Sequence, residues 1–314
     1  MNDLLFGNFG KDIIIFLQSF SPLFDIPFII ISLLGSAYFY ITVLALIYWT
    51  VSKKTGLRLF YLLFITSYIN ILIKGIFGII RPYQAYPNEI KPIVTEPGYS
   101  FPSSHAQTAG TFWGYVGSSY KSNSYVIILS IIIISLISIS RVYLGVHYPS
   151  DVIVGIVIGL IVLVVSLYSL PWIEKYFSLK SDKFIIFSAL IISIGFVVMF
   201  VLVVVITNHD IKVADPGDFS GAIFGGVLGI IIERKYINFP IKEVTNFQKF
   251  MRLFFGYLII SLGLPLKDIF DYVFITGYSI VLSNYILFAL LAFATTAFVP
   301  WVFMKFENIG ESKS

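Results

Sequence analysis

VIILSIIIISLISISR, residues 126–141, decides what kind of protein this is. Sixteen uncharged residues, Tyr125 to Ser140, end on an arginine. With its flanks it makes an apolar stretch, 124–144, of the length and composition of a helix that crosses a bilayer. A guanidinium at its end must find a partner, because unpaired charge at membrane depth is costly. Six residues later stands His147, and Pro149-Ser150-Asp151 follows. Pro149 can open the next helix. Asp151 can then reach back to the imidazole, fix its tautomer and leave the other ring nitrogen as a nucleophile.

The rest of the chain agrees with the apolar reading. Its 314 residues are 58% hydrophobic and 12% charged, with a mean hydropathy of +0.91, which excludes an ordinary soluble domain. The predicted class is all-α, a polytopic transmembrane bundle, since helices satisfy their own backbone in lipid. Nine apolar runs fit spans: 27–51, 58–80, 104–120, 124–144, 150–171, 184–207, 218–233, 250–270 and 279–304. The mixed stretch 3–19 fits an amphipathic helix at the interface. Asp3 precedes the first lysine, Lys11, so no cleaved targeting segment is expected.

Composition also limits the chemistry. There is no cysteine and there are three histidines, which excludes disulfides and thiolate sites and argues against a histidine-rich metal centre. No metal or cofactor is expected. The net charge of +4 reads as a topology signal, not as a nucleic-acid surface. With the N-terminus outside, most of the 21 basic residues fall in inside loops: Lys53, Lys54 and Arg58, then Lys121, then Lys175, Lys180 and Lys183, then Arg234 to Arg252, and the C-terminal lysines. The positive-inside rule then puts the polar clusters on the extracytoplasmic face of a bacterial or archaeal cell membrane.

Two further clusters interrupt the oily pattern. Lys74 and Arg81 stand seven apart, close to two helical turns, which predicts one cationic stripe on one helix. Pro82 ends that helix and opens a loop, 82–102, rich in Pro, Tyr and Gly. Pro102-Ser103-Ser104-His105 lies where the chain re-enters a helix. Ser and Pro there suit ordinary capping, and the same helix start offers N–H groups and a positive dipole end to an anion.

Lys74-x6-Arg81-Pro82, Pro102-Ser103-Ser104-His105 and Ser140-Arg141-x5-His147-x3-Asp151 resemble, in order and spacing, the three signature motifs of the type 2 phosphatidic acid phosphatase superfamily. The resemblance implies a helical core, metal-independent hydrolysis and a phosphohistidine intermediate. It implies that Lys74, Arg81, Ser103, Ser104 and Arg141 bind phosphate, that His147 is the nucleophile with Asp151 as its partner, and that His105 is the general acid. Ser104 stands where the family usually has Gly, which leaves the backbone N–H available. The resemblance spans about residues 24–207.

The expected organisation is an interfacial segment over 1–23, a six-helix phosphatase core over 24–207 and a three-helix extension over 208–314 with no assigned role. The connector 171–183 is charged, and the loop 207–220 is acidic, with Asp210, Asp215 and Asp218. Gly221, Gly225 and Gly229 stand four apart, the spacing of a close helix-packing face.

An outer site beside lipid suits a membrane lipid phosphate as partner: undecaprenyl diphosphate, phosphatidylglycerophosphate, phosphatidic acid or a sphingoid-base phosphate. Three alternatives stay open from sequence: a soluble sugar phosphate, a lipid or anion carrier using the same cations, and a vanadate-dependent halide oxidase. The second histidine and the His-Asp pair favour hydrolysis over carriage.

Overall fold

A computed structural model describes residues 7–208, 216–241, 244–274 and 277–311, so residues 3–6 of the amphipathic stretch, Asp210 and Asp215 lie outside the described residues. Every regular element among the described residues is helical: α1 Asn8–Gln18, α2 Asp25–Leu33, α3 Ala37–Thr50, α4 Lys53–Phe77, α5 Pro82–Ala85, α6 Ser104–Ser119, α7 Ser124–Tyr143, α8 Pro149–Ser178, α9 Asp182–Thr207, α10 Pro216–Ile232, α11 Asn246–Gly263, α12 Leu266–Val273, α13 Gly277–Phe293 and α14 Val299–Glu311. The expected all-α transmembrane class holds.

Seven helical segments among the described residues are long and apolar enough to cross a membrane, and α2 with α3, bent by 43°, makes an eighth if the pair is one span. Nine were expected. The difference falls on 104–120, where α6 has 16 residues, about 24 Å of helix against about 30 Å of hydrocarbon. Polar Gln107 and Thr111 are buried along it, and α6 serves to hold side chains of the site.

The chain forms two compact units, one of Met1–Tyr40, Tyr61–Pro171 and Val203–Ala214, the other of Ile41–Phe60, Trp172–Leu202 and Asp215–Ser314. The first is built on Ile14, Ile90, Ala106, Val142, Tyr148 and Val152. Here α8 lies close against the start of α6: a Cβ on Gly155 would stand 2.8 Å from the Ser103 carbonyl oxygen. Any larger residue would push the two helices apart.

In the second unit α10 presses on α13, with Gly225 directly over the Ala289 carbonyl, which is the small-residue contact that the four-residue spacing predicts. Lys53 pairs with buried Glu233 at 2.6 Å. Arg252, read from sequence as one of the loop cations that set orientation, is instead 1% exposed. It donates to the carbonyls of Trp49 at 3.1 Å and Pro240 at 2.7 Å and lies over the rings of Phe239 and Phe303, partners that compensate its desolvation.

Candidate active site

All three polar clusters lie in the first unit, and the structure brings them together. Lys74 sits on the last turn of α4 and is 5% exposed. The expected shared stripe with Arg81 does not form, because Gly78 takes φ +58 and the helix has ended at Phe77. Arg81 is extended at φ −72, ψ 152 and precedes α5. The two cations converge through the loop instead. Lys74 Nζ donates to the carbonyls of Tyr99 and Ser100. Arg81 donates through Nε to Gly98 O at 3.0 Å, through Nη2 to Pro97 O at 2.7 Å and through Nη1 to Val146 O at 3.1 Å.

His147 follows α7 by way of Gly145 at φ +79, a left-handed turn that glycine adopts without steric cost. The turn returns the chain so that α8 starts beside the imidazole. Asp151 Oδ2 lies 3.3 Å from His147 Nδ1 and accepts the Tyr148 N–H at 2.8 Å and the Ser100 hydroxyl. On the other edge of the ring, Nε2 is 3.3 Å from Arg81 Nη1. The imidazole therefore has a carboxylate behind Nδ1 and a cation beside Nε2.

Burial first, and then the charges of Arg81, Lys74 and Arg141, hold the His147 imidazole well below its ordinary range. That direction favours the neutral imidazole, the form a nucleophile needs. The same displacement has a stability consequence. Below about pH 6.5 the unfolded chain binds a proton at this residue that the folded chain refuses, so stability falls as pH drops through that point, at about 1.4 kcal/mol per pH unit for this one group. His147→Asn removes that titration. Its thermal midpoint should fall less than that of the wild type between pH 6.5 and 5, and equal falls would contradict the assignment.

Arg141, 2% exposed, finds the partner its position demands. Nη2 is bound to Glu96 Oε1 and Nη1 to the Ser32 hydroxyl. Glu96 Oε2 also lies 3.5 Å from Arg81 Nη1. Burial disfavours the Glu96 anion, but Arg141 and Arg81 outweigh it and lower its pKa to about 2. Glu96 is thus an anion lodged between two arginines.

The Pro102–His105 segment meets Asp151 through the backbone, Ser103 N–H donating to Asp151 O at 3.0 Å. Ser103 caps α6, its hydroxyl accepting from Ala106 N at 3.5 Å, while the Ser104 hydroxyl donates to Asn70 Oδ1 at 2.8 Å. Those hydroxyls are therefore engaged in holding the loop and helix start. The first-turn N–H groups of Ser104 and His105 lie ahead of the helical ladder, which makes them available to an anion. The His105 ring packs against Gly35, where a Cβ would stand 2.9 Å from its Cδ2.

Four residues of this arrangement escape the motif reading. Ser32, Glu96 and Ser100 sit in segments whose spacing carries no signal. Asn70 was legible: Thr66, Asn70 and Lys74 recur every four residues in an apolar helix, so they share a face. That face is the polar seam, where Asn70 Nδ2 donates to Gln107 Oε1 at 2.8 Å and Gln107 Nε2 to Thr66 O at 2.7 Å. Among the described residues, no group of three or more His, Asp or Glu side chains gathers in a metal-ligating arrangement.

A buried His-Asp pair with two arginines and a lysine beside it, within a bundle of apolar helices, defines an integral-membrane protein with a buried cationic site. The chain belongs to the PAP2 superfamily: residues 55–175 match that family, and residues 218–312 match the PAP2 superfamily phosphatase transmembrane extension. The C-terminal helices, which the motifs leave unaddressed, are therefore a recognised companion of the phosphatase region. An undecaprenyl-diphosphatase from Sulfolobus acidocaldarius is 33% identical over 136 residues, 42% of this chain and 63% of that relative. The chain thus spans less than two thirds of the length of the curated relative it matches. Two solved structures are also similar. One is a transmembrane PAP2 type phosphatidylglycerolphosphate phosphatase from Bacillus subtilis, with TM-score 0.44 and 22% identity over 55% of this chain and 89% of that one. The other is LpxE from Aquifex aeolicus, with TM-score 0.45 and 23% identity over 52% of this chain and 98% of that one.

Proposed function

We propose that the protein is an integral-membrane phosphatase that hydrolyses a lipid phosphate or isoprenoid diphosphate through a phosphohistidine intermediate. The observation that carries this reading is the His147 environment, with Nδ1 turned to Asp151 and Nε2 turned to Arg81. Arg81, Arg141 and Lys74 hold the phosphoryl oxygens, joined by the Ser103–Ser104 helix start. Nε2 then attacks phosphorus in line. The N–P bond forms as the bond to the leaving oxygen breaks, and His105 donates the proton that oxygen takes up. Water next attacks the phosphohistidine while His105 accepts its proton, and the N–P bond breaks to release inorganic phosphate. Three fixed cations stabilise the charge spread over the equatorial oxygens, the task a metal performs in other phosphoryl transfers.

The distribution of loop cations supports a site on the extracytoplasmic face of a cell membrane. The relative's name supports an isoprenoid diphosphate among the candidate substrates. We further assign residues 24–207 as the phosphatase core, with residues 1–23 lying at the interface and residues 208–314 as its extension. Phosphate release from undecaprenyl diphosphate, phosphatidylglycerophosphate and phosphatidic acid, measured in detergent with and without EDTA, tests the reading. Release from at least one lipid, unchanged by EDTA, is expected. No release from any of them would overturn the function, and EDTA inhibition reversed by a divalent ion would overturn the metal-free mechanism.

A further inference from the structure

Five consecutive loop residues, Glu96 to Ser100, engage every cation of the site. Glu96 binds Arg141 and approaches Arg81 to 3.5 Å. Pro97 O and Gly98 O accept from Arg81, and Tyr99 O and Ser100 O accept from Lys74. Ser100 also donates its hydroxyl to Asp151. Of these acceptors on the three cations, Glu96 alone carries a formal charge. Arg141 Nε, buried, has no hydrogen-bond partner among the described residues.

Resting on the phosphatase reading, we propose that Glu96 is a resident counter-ion standing in the phosphoryl position, that substrate displaces it from Arg141 and Arg81, and that this exchange selects for multiply charged anions. Two nearly buried guanidinium groups cannot be left without an anion, since removing one partner of a buried pair strands the other charge. An incoming group must therefore replace what Glu96 supplies. A carboxylate or a sulfate ester brings a single charge and gains nothing over the resident carboxylate. A phosphate monoester, with a second pKa near 6, or a diphosphate brings two or more charges, and its attraction to the same arginines grows in proportion. The neutral carbonyls of Pro97 to Ser100 compete far less strongly, so Glu96 sets the threshold.

The test uses the full chain in detergent, with inorganic phosphate and singly charged methyl sulfate as inhibitors of phosphate release from a short-chain phosphatidic acid. Glu96→Gln keeps the shape and removes the charge. It should lower KM and the inhibition constant for inorganic phosphate by about tenfold, lower that for methyl sulfate still more, and change kcat by only a few-fold. Glu96→Asp, which keeps the charge, should stay near the wild type. Unchanged or raised inhibition constants in Glu96→Gln would overturn the proposal. Should that variant fail to insert, the wild type gives the answer: modification of Glu96 by a water-soluble carbodiimide, mapped by peptide mass spectrometry, should rise when inorganic phosphate saturates the site. Protection or no change would overturn the exchange. A wild type that exchanges Glu96 yet releases no phosphate from any lipid would instead count against the phosphatase reading alone.

Discussion

His147→Ala should lower phosphate release by on the order of 10⁴-fold or more while the chain still inserts and folds, because in the proposed mechanism it removes the atom that bonds to phosphorus. His105, the other imidazole of the site, has the proton-transfer role in that mechanism, and the remaining groups are poor substitutes. Lys74 and Arg81 are held by loop carbonyls, and Asp151 faces the nucleophile from behind. The fold should tolerate the loss because Asp151 keeps the Tyr148 N–H at 2.8 Å and the Ser100 hydroxyl. Its carboxylate is therefore not stranded when the imidazole goes. A normal gel-filtration profile, with thermal stabilisation by inorganic phosphate intact, would show that binding survives without chemistry. Turnover above about one hundredth of the wild-type rate would remove His147 from the nucleophile's role, since loss of a covalent nucleophile costs far more than that.

Arg141→Met should damage stability and activity together, for separable reasons. Arg141 is the main partner of Glu96, whose side chain is 25% exposed and keeps Arg81 at 3.5 Å, so its removal should cost on the order of 1–3 kcal/mol, less than breaking a fully buried pair. The loss of a donor aimed at the developing phosphoryl charge should lower kcat by about 10²–10³-fold. Adding Glu96→Gln removes the stranded carboxylate, so the double variant should recover most of the stability and little of the activity. Thermal unfolding and phosphate release on the two single variants and the double variant form a cycle that isolates the coupling. A double variant as active as the wild type would reduce Arg141 to a structural counter-ion.

Much of this molecule is written locally. The uncharged run 126–140 specifies a membrane helix because lipid leaves no other way to satisfy its backbone, and Arg141 at its end announces a buried site for the same reason. His147 and Asp151, four residues apart, are a short-range pair that the structure keeps at 3.3 Å. His105 and the three cations are legible in the order and spacing of the motifs. Helical phase was a poorer guide at Lys74 and Arg81, since a single left-handed glycine, Gly78, ends the helix between them. The length of α6 misled for a different reason. A run that is apolar in composition is a buried prop when Gln107 and Thr111 need polar partners from α4 and α8.

The sequence by itself determined the class of fold, and it named the residues proposed to bind and attack a phosphoryl group and the side of the membrane on which their clusters are expected. The first rests on the apolar runs, the second on the spacing within each of three short motifs, and the third on where the basic residues fall along the chain. Tertiary structure alone decided that Glu96 stands between Arg81 and Arg141, that Ser100 backs Asp151, and that Asn70 steadies the Ser104 turn. These partners are separated by 15, 45, 51 and 34 residues along the chain. No periodicity encodes such contacts. They arise because charges and polar groups drawn into an apolar bundle must be satisfied by whatever the packing brings within reach.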